Sequence, residues 1–240
     1  MNDFEALFRK LGVSFDIFEK NEDCFLEAFT HRSAVNERSK LKAHNERLEF
    51  LGDAVLELVT TEFLYKNFTE KPEGDLTSLR SALVKKENLA LVAKKLEIGD
   101  FLKMSKGEAR SGGREKDYLL ANLIEAFIGA LYLSGDYDLS EGFIKKFILC
   151  ELDEILETES HIDSKSKFQE LTQGDFGITP TYEVISESGK DHDKKFVLGT
   201  FLNGAKVGEG SGGSKKEAQV DAAGNALENL DKWEAKFDKK

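Results

Sequence analysis

Apolar residues recur at helical spacing along the first 150 or so positions of this chain. Leu7, Leu11 and Phe15, for example, are four residues apart, which places their side chains on one face of a helix. The pattern predicts a helical domain over residues 1–152, interrupted by a loop rich in glycine and charge at residues 106–116.

The pattern changes after an acidic stretch, residues 153–162, which we interpret as a linker. Residues 180–188 and 195–202 alternate between apolar and polar positions, as strands do. Asn203-Gly204 is a strong signal for a two-residue hairpin turn, because both residues tolerate positive φ.

These signals predict a second domain, residues 163–232, with the element order α-β-β-β-α. A short helix covers residues 166–174, a third strand covers 205–209, and a glycine-rich loop at 210–213 leads into a helix from Lys215 to about Leu230. Residues 233–240 are then a tail.

Charge at first argues against binding of nucleic acid, since the 240 residues carry a net charge of −11. The excess is uneven: residues 163–240 hold 12 basic and 14 acidic residues, a net of −2, so the first 162 carry −9. Some of these carboxylates are candidates for metal binding. No apolar leader or membrane span is evident, so we expect a cytoplasmic protein.

The predicted helix at residues 45–63 combines an apolar surface with an arc of acids. On a helix, Glu46, Glu49, Asp53 and Glu57 fall within an arc of roughly 80°. A solvent-exposed acidic face explains this arc equally well at this point. The glycine at position 52 costs about 1 kcal/mol against alanine in a helix, which suggests that another backbone approaches it closely.

A second helix, residues 118–133, is apolar except for two strongly polar side chains three residues apart. A buried carboxylate needs a partner, either a hydrogen-bonding group or a cation. A metal ion shared by both helices explains both oddities, and oxygen ligands suit Mg²⁺ better than zinc. We call the four predicted ligands the donor set: Glu49, Asp53, Asn122 and Glu125.

These segments resemble the ribonuclease III family. The stretch HNERLEFLGDAVL at residues 44–56 is similar to the family's signature motif, and FTHRSA, EGDLTSLRSALV and LLANLIEAFIGALYL match further blocks in order. The resemblance implies an all-α endonuclease domain that cuts double-stranded RNA with Mg²⁺, for which Mn²⁺ can substitute. It also implies a homodimer, 5′-phosphate and 3′-hydroxyl ends with short 3′ overhangs, and roles in rRNA and mRNA processing.

The resemblance also assigns residues. Asp53 and Glu125 match catalytic positions within the metal ligands, Glu46 and Glu73 match secondary acids, and Phe50 matches an aromatic residue that enters a socket on the partner subunit. Many family members have Asp where this chain has Asn122. The amide keeps an oxygen ligand but removes a charge.

Residues 163–232 resemble a small α+β domain, the double-stranded-RNA-binding domain, which recognises the shape of an A-form duplex. Ser214 and Glu217 form a predicted capping box, with two lysines in the first helical turn, where a phosphate binds favourably. The positions that match RNA contacts are Gln169, Glu170, His192, Lys215 and Lys216.

Two other functions compete with this interpretation. A protein that keeps the fold but only binds duplex RNA would explain the amide at position 122, although the carboxylates of the donor set are retained. A helical carboxylate protein with oxidative chemistry would need Glu-x-x-His pairs, and neither acidic helix contains one.

Overall fold

The computed structural model describes residues 3–37, 43–158, 164–189 and 194–238, and divides the chain into two compact units, residues 1–161 and 162–240. The first unit is helical, and the second contains a three-stranded antiparallel sheet with helices. The fold class predicted from the sequence is therefore confirmed.

The first unit is built from ten α-helices within its described residues. Their bounds are α1 Asp3–Leu11, α2 Phe15–Lys20, α3 Glu22–Ala28, α4 Arg32–Glu37, α5 Glu46–Asn67, α6 Glu73–Val84, α7 Lys86–Leu96, α8 Lys106–Arg110, α9 Asp117–Phe147 and α10 Leu152–Glu157. The two long helices α5 and α9 contain the two polar patterns that the sequence singled out.

Two glycines let α5 and α9 cross with their backbones in contact. A Cβ atom added at Gly52 would lie 1.7 Å from the carbonyl oxygen of Glu125, and one at Gly129 would lie 2.3 Å from the carbonyl oxygen of Leu48. Both distances are far below van der Waals contact. The close approach predicted from Gly52 is confirmed, and its partner is α9.

A cluster of phenylalanines fixes α9 against the N-terminal helices. The rings of Phe8, Phe25 and Phe127 are fully buried, and their centroids lie 4.9–5.9 Å apart. Two of these contacts are edge-to-face and the third is tilted, and edge-to-face contacts stabilise beyond the area they bury. Phe127 lies two residues from Glu125, so this packing also restrains the backbone of the candidate site.

Helical structure extends into two segments that the sequence pattern left irregular. Within residues 106–116, Ser105 caps α8 by accepting a hydrogen bond from the Glu108 amide (3.1 Å), and a 3₁₀ turn follows at Gly113–Glu115. Within the predicted linker, α10 buries Ile155. These helices are short, and tertiary contacts rather than local periodicity stabilise them.

The second unit contains three helices and three strands in its described residues. Their bounds are α11 Ser164–Leu171, β1 Thr181–Ser188, β2 Lys195–Leu202, β3 Ala205–Gly212, α12 Lys215–Glu228 and α13 Leu230–Trp233, with a π-helical turn at Thr172–Phe176. The strand order is β1-β2-β3. Asn203 and Gly204 have positive φ values of 48° and 81°, so the predicted hairpin turn between β2 and β3 is confirmed.

The predicted glycine-rich loop at residues 210–213 is wrong, because β3 continues to Gly212. A Cβ atom at Gly208 would lie 2.4 Å from the Ala222 carbonyl oxygen, and one at Gly210 would lie 2.1 Å from the Ala222 amide nitrogen. The glycines therefore let α12 lie directly on the strand, which is a packing role rather than a turn.

The segment interpreted as a tail begins inside the core of the second unit. Trp233 is 2% exposed, and its indole nitrogen donates a hydrogen bond to the Ala226 carbonyl (2.7 Å). Its ring packs against Phe168 of α11, with centroids 5.6 Å apart. Residues after α12 thus close the core of this unit.

Within the described part of the chain, one segment is long and apolar enough to cross a membrane by length and composition alone: Asp117–Glu157, which joins α9 to α10 and leaves helical geometry at Gly135 and Asp136. In this structure 61% of its most apolar window is buried. The core helix of a globular domain meets the same criterion.

Candidate active site and RNA-binding surface

The donor set lies where α5 and α9 cross. Glu49 and Asp53 are one turn apart on α5, and Asn122 and Glu125 are one turn apart on α9. Gly52 contacts the backbone of Glu125, Asn122 is hydrogen-bonded to Glu49, and the charges of Asp53 and Glu49 act on Glu125, so the two pairs lie close together. The structure therefore brings together the four side chains that the sequence grouped.

Burial and negative neighbours disfavour ionisation of Glu125. Desolvation is the largest cause, and the charges of Asp53 and Glu49 add to it, raising the pKa of Glu125 to about 8. A carboxyl group with this pKa is mostly protonated at neutral pH when no cation is present. A divalent cation next to these carboxylates reverses that preference.

Asn122 affects the neighbouring carboxylate in the opposite direction. Its side chain is hydrogen-bonded to Glu49, and this bond lowers the pKa of Glu49. Burial and the charges of Glu46 and Asp53 raise the same pKa, and the net shift is upward. An aspartate at position 122 would add repulsion where the amide now supplies a hydrogen bond.

The donor set fits a hard divalent cation by its chemistry. It offers carboxylate and amide oxygens on two packed helices, with the half-buried carboxyl group of Glu125 among like charges. Across the described ranges, however, no three His, Cys, Asp or Glu side chains already stand in a metal-binding arrangement. Mutual repulsion keeps the carboxylates of the donor set apart, and a bound cation would remove that repulsion.

A cleft of about 380 Å³, which we call the acid cleft, adjoins the donor set. Glu49 and Asn122 line one side, and Glu46, His31, Arg32 and Tyr118 are among the other lining residues. Glu46 forms an ion pair with Arg32, with 3.5 Å between Glu46 Oε1 and Arg32 Nη1. Its charge contributes to raising the pKa of Glu49, so this secondary acid lies beside the site.

The other secondary acid lies apart from the donor set within one chain. Glu73 is exposed at the start of α6, where it accepts a hydrogen bond from Thr77 (3.1 Å). It lines a different hollow of about 440 Å³, together with Leu64, Tyr65 and Leu76.

Apolar side chains form a solvent-exposed row on α5. Phe50 is 80% exposed, Leu58 57% and Tyr65 71%, and their spacing places them within about 80° on the helix. We call these three residues the apolar stripe. An exposed apolar row on a well-packed helix indicates an interaction surface. Leu58 and Tyr65 were not predicted, although their spacing from Phe50 could have revealed them.

The N-terminus of α12 carries the two predicted lysines. The Glu217 amide donates to the Ser214 hydroxyl (3.2 Å), and the Glu217 carboxylate accepts from the Gly213 amide (3.0 Å). The predicted capping box is thus present, with its return bond one residue earlier. The Lys215 ammonium lies 5.7 Å from the centre of the Phe196 ring, and Lys216 is exposed.

Both predicted contact residues of α11 are on its surface. Gln169 and Glu170 are exposed, whereas Phe168 beside them is fully buried and anchors the helix. His192 lies outside the described residues.

Comparison with known proteins decides the family. Residues 21–152, more than half of the chain, match the family model described as Ribonuclease-III-like, and residues 164–230 match the one described as Double-stranded RNA binding motif. The chain belongs to the ribonuclease III family. The predicted identity of an endoribonuclease specific for double-stranded RNA is thereby confirmed, and enzymes of this family generally depend on divalent metals.

Relatives named Ribonuclease 3 match along nearly the whole chain. The Natranaerobius thermophilus protein is 44% identical over 96% of this chain and 97% of its own length, and that of Geobacillus kaustophilus is 45% identical over 95% and 91%. Two structures of the nuclease domain of ribonuclease III from Campylobacter jejuni share 38–39% identity with TM-scores of 0.55 and 0.56. They cover 61–63% of this chain and 96–97% of their own.

Proposed function

We propose that this ribonuclease III family enzyme cuts both strands of an RNA duplex in a Mg²⁺-dependent homodimer, leaving 5′-phosphate and 3′-hydroxyl ends with short 3′ overhangs. The observation that carries the proposal is the meeting of the donor set at the α5–α9 crossing, where the half-buried Glu125 lies near the carboxylates of Asp53 and Glu49. A solvated acidic face, the alternative left open by the sequence, accounts for the exposed Asp53 but not for the half-buried Glu125 on a second helix, whose charge is opposed by Asp53 and Glu49.

Each member of the donor set has a role in holding the cation and the reacting phosphate. When bound, Mg²⁺ would lower the pKa of a water molecule and neutralise charge on the phosphoryl oxygens. Glu49, Asp53 and Glu125 supply negative charge, and Asn122 supplies a neutral oxygen. Because Glu125 holds a proton near neutrality, loading of the site releases that proton.

The apolar stripe supports the homodimer. Phe50 extends from α5 beside Glu49, so its insertion into a partner would bring the two active sites close to one shared surface. The hollow containing Leu64, Tyr65 and Leu76 offers an apolar lining for such a side chain. Glu73 also lines that hollow, as expected for a secondary acid that acts across the interface.

The second unit adds affinity for duplex RNA. Lys215 and Lys216 place positive charge at the first turn of α12, where the helix dipole also attracts phosphate, and Gln169 and Glu170 offer polar groups for the minor groove. His192 completes the expected contact set. We propose processing of ribosomal and messenger RNA in the cytoplasm as the setting, on the strength of the family resemblance.

A cleavage assay with three nucleic acids tests the function. The purified protein is incubated with a long RNA duplex, a single-stranded RNA and a DNA duplex, each with Mg²⁺ or with EDTA. We expect only the RNA duplex to be cut, and only with Mg²⁺. Glu125→Gln should bind the duplex without cutting it, whereas Glu87→Gln, which alters an exposed acid on α7, should cut normally.

A different result would favour the competing function. If the wild type retards the RNA duplex on a gel but leaves it intact at every Mg²⁺ concentration, the chain is a binding protein that has kept the nuclease fold.

A further inference from the structure

The acid cleft contains a positive group that the proposed chemistry does not use. Arg32 lies at the start of α4 and lines the cleft that Glu49 and Asn122 of the donor set also line. Successive phosphates repeat along an RNA strand. A strand with its scissile phosphate at the donor set therefore brings a neighbouring phosphate towards this cleft.

Arg32 is available for such a phosphate. Its guanidinium has one ion pair among the described residues, to Glu46 at 3.5 Å, and the two side chains are 70% and 50% exposed. An ion pair that is long and solvated is weak and readily exchanged. A phosphate can instead accept two parallel hydrogen bonds from a guanidinium, which gives a stronger and better oriented contact.

His31 adds a neutral donor beside Arg32. Its Nδ1 accepts a hydrogen bond from the backbone amide of Ser33 (3.3 Å), so in the neutral ring the hydrogen lies on Nε2. The Ser33 hydroxyl, 2.8 Å from the same Nδ1, accepts from the Ser105 amide (3.0 Å), which anchors this corner of the cleft to the start of α8. These two contacts at Nδ1 orient the His31 ring.

We propose that Arg32, assisted by the Nε2–H of His31, binds the phosphate next to the scissile phosphate and holds the cleaved strand in the acid cleft. Arg32 is then a positioning residue: it leaves its ion pair with Glu46 and binds the RNA phosphate instead. This inference rests on the proposed nuclease function, because it takes the donor set as the place where the chain is cut.

Modified substrates test the contact directly. A short RNA duplex is prepared with one uncharged methylphosphonate at each phosphate flanking the scissile bond in turn, and single-turnover cleavage is measured over a range of enzyme concentrations. For the unmodified duplex, Arg32→Ala should raise the half-saturating concentration about ten-fold, as expected for a lost charged hydrogen bond, with little change in the saturating rate.

The decisive measurement is the combined effect of the Arg32→Ala substitution and the methylphosphonate. At one flanking position the methylphosphonate should weaken the wild type, yet have almost no further effect on Arg32→Ala, because the contact is already absent. Arg9→Ala is the matched control, since Arg9 is 72% exposed and, among the described residues, has one ion pair, to Glu5 at 3.6 Å. It should behave like the wild type at every position.

Two results would overturn the proposal. One is that the penalties of Arg32→Ala and of the methylphosphonate multiply at every position. The other is that Arg32→Ala loses its effect in a Glu46→Gln background, which would mean that Arg32 only neutralises that acid. The same series, measured as equilibrium binding by Glu125→Gln protein, separates these outcomes from a failure of the nuclease function, which would appear as an inactive wild type.

Discussion

Two residues of the donor set, Glu125 and Asn122, have environments that predict measurable behaviour. Glu125 is half-buried among like charges, and Asn122 is hydrogen-bonded to one of those charges, Glu49. Both effects concern the state before a cation binds, so stability and metal binding report on them without any RNA.

For Glu125, the pKa of about 8 in the folded protein lies above its ordinary value of 4.5. Folding therefore favours the protonated form, and the stability of the metal-free protein should fall as pH rises from about 4.5 to about 8. Glu125→Gln should match the wild type near pH 4.5 and exceed it at pH 8 in EDTA by on the order of 3 kcal/mol. Denaturant unfolding at several pH values measures this, and a constant difference across pH would contradict it.

For Asn122, we expect Asn122→Asp to strengthen Mg²⁺ binding about ten-fold, because it adds a charged ligand. The same change should lower the melting temperature in EDTA, since the hydrogen bond to Glu49 becomes a repulsion. Calorimetric titration and thermal unfolding without RNA give both values. Asn203→Asp adds the same charge in the β2–β3 turn and serves as the control. Equal effects in both variants would indicate a general effect of charge.

At the scale of elements, the crossing of α5 and α9 decides where the donor set lies. Ridges of side chains usually keep helix axes 8–10 Å apart. Glycine removes the side chain at the contact, so Gly52 and Gly129 let the backbones touch and bring the polar pairs together.

We therefore expect Gly52→Ala to destabilise the protein by about 3 kcal/mol or more, although alanine favours a helix intrinsically. Its Cβ atom would lie 1.7 Å from a backbone oxygen of α9, which a side-chain rotation cannot relieve. Gly142→Ala is the matched control, because Gly142 lies within α9 and, apart from its own helix backbone, no atom of the described residues lies within 4 Å of the added carbon. It should be neutral or slightly stabilising. Similar unfolding midpoints for both variants would contradict the close crossing.

At the scale of the whole molecule, the proposed dimer determines whether the active sites are complete. The apolar stripe is the surface that a partner would cover, and the secondary acid Glu73 lies apart from the donor set within one chain. Weakening the stripe should therefore affect association and cleavage together.

Leu58→Lys should convert the protein to a monomer at micromolar concentration, because it places a charge in the centre of an apolar interface. Light scattering coupled to gel filtration measures the mass. Leu91→Lys is the control, since Leu91 is 53% exposed on α7 against 57% for Leu58. If both variants have the same mass as the wild type, the apolar stripe is not the dimer interface.

Local patterns determined the long elements and the chemistry of the site. The periodicities that predicted α5, α9 and the β2–β3 hairpin depend on neighbours in the chain, and an acidic residue in an apolar helix is conspicuous without coordinates. Gly52 also indicated a close contact, because a glycine in the middle of a helix is locally unfavourable. The His192 contact and the roles of the donor set remain predictions.

Tertiary structure alone decided what those residues meet. The sequence could not show that the Gly52 contact is the backbone of Glu125, that Arg32 shares a cleft with Glu49, or that the apolar stripe is left uncovered. The sequence pattern also assigned residues 210–212 to a loop, although they belong to β3. In the sequence, a glycine that bends the chain cannot be distinguished from a glycine that lets a helix pack directly on a strand. Those outcomes depend on groups far apart in the chain, and only packing in three dimensions brings them together.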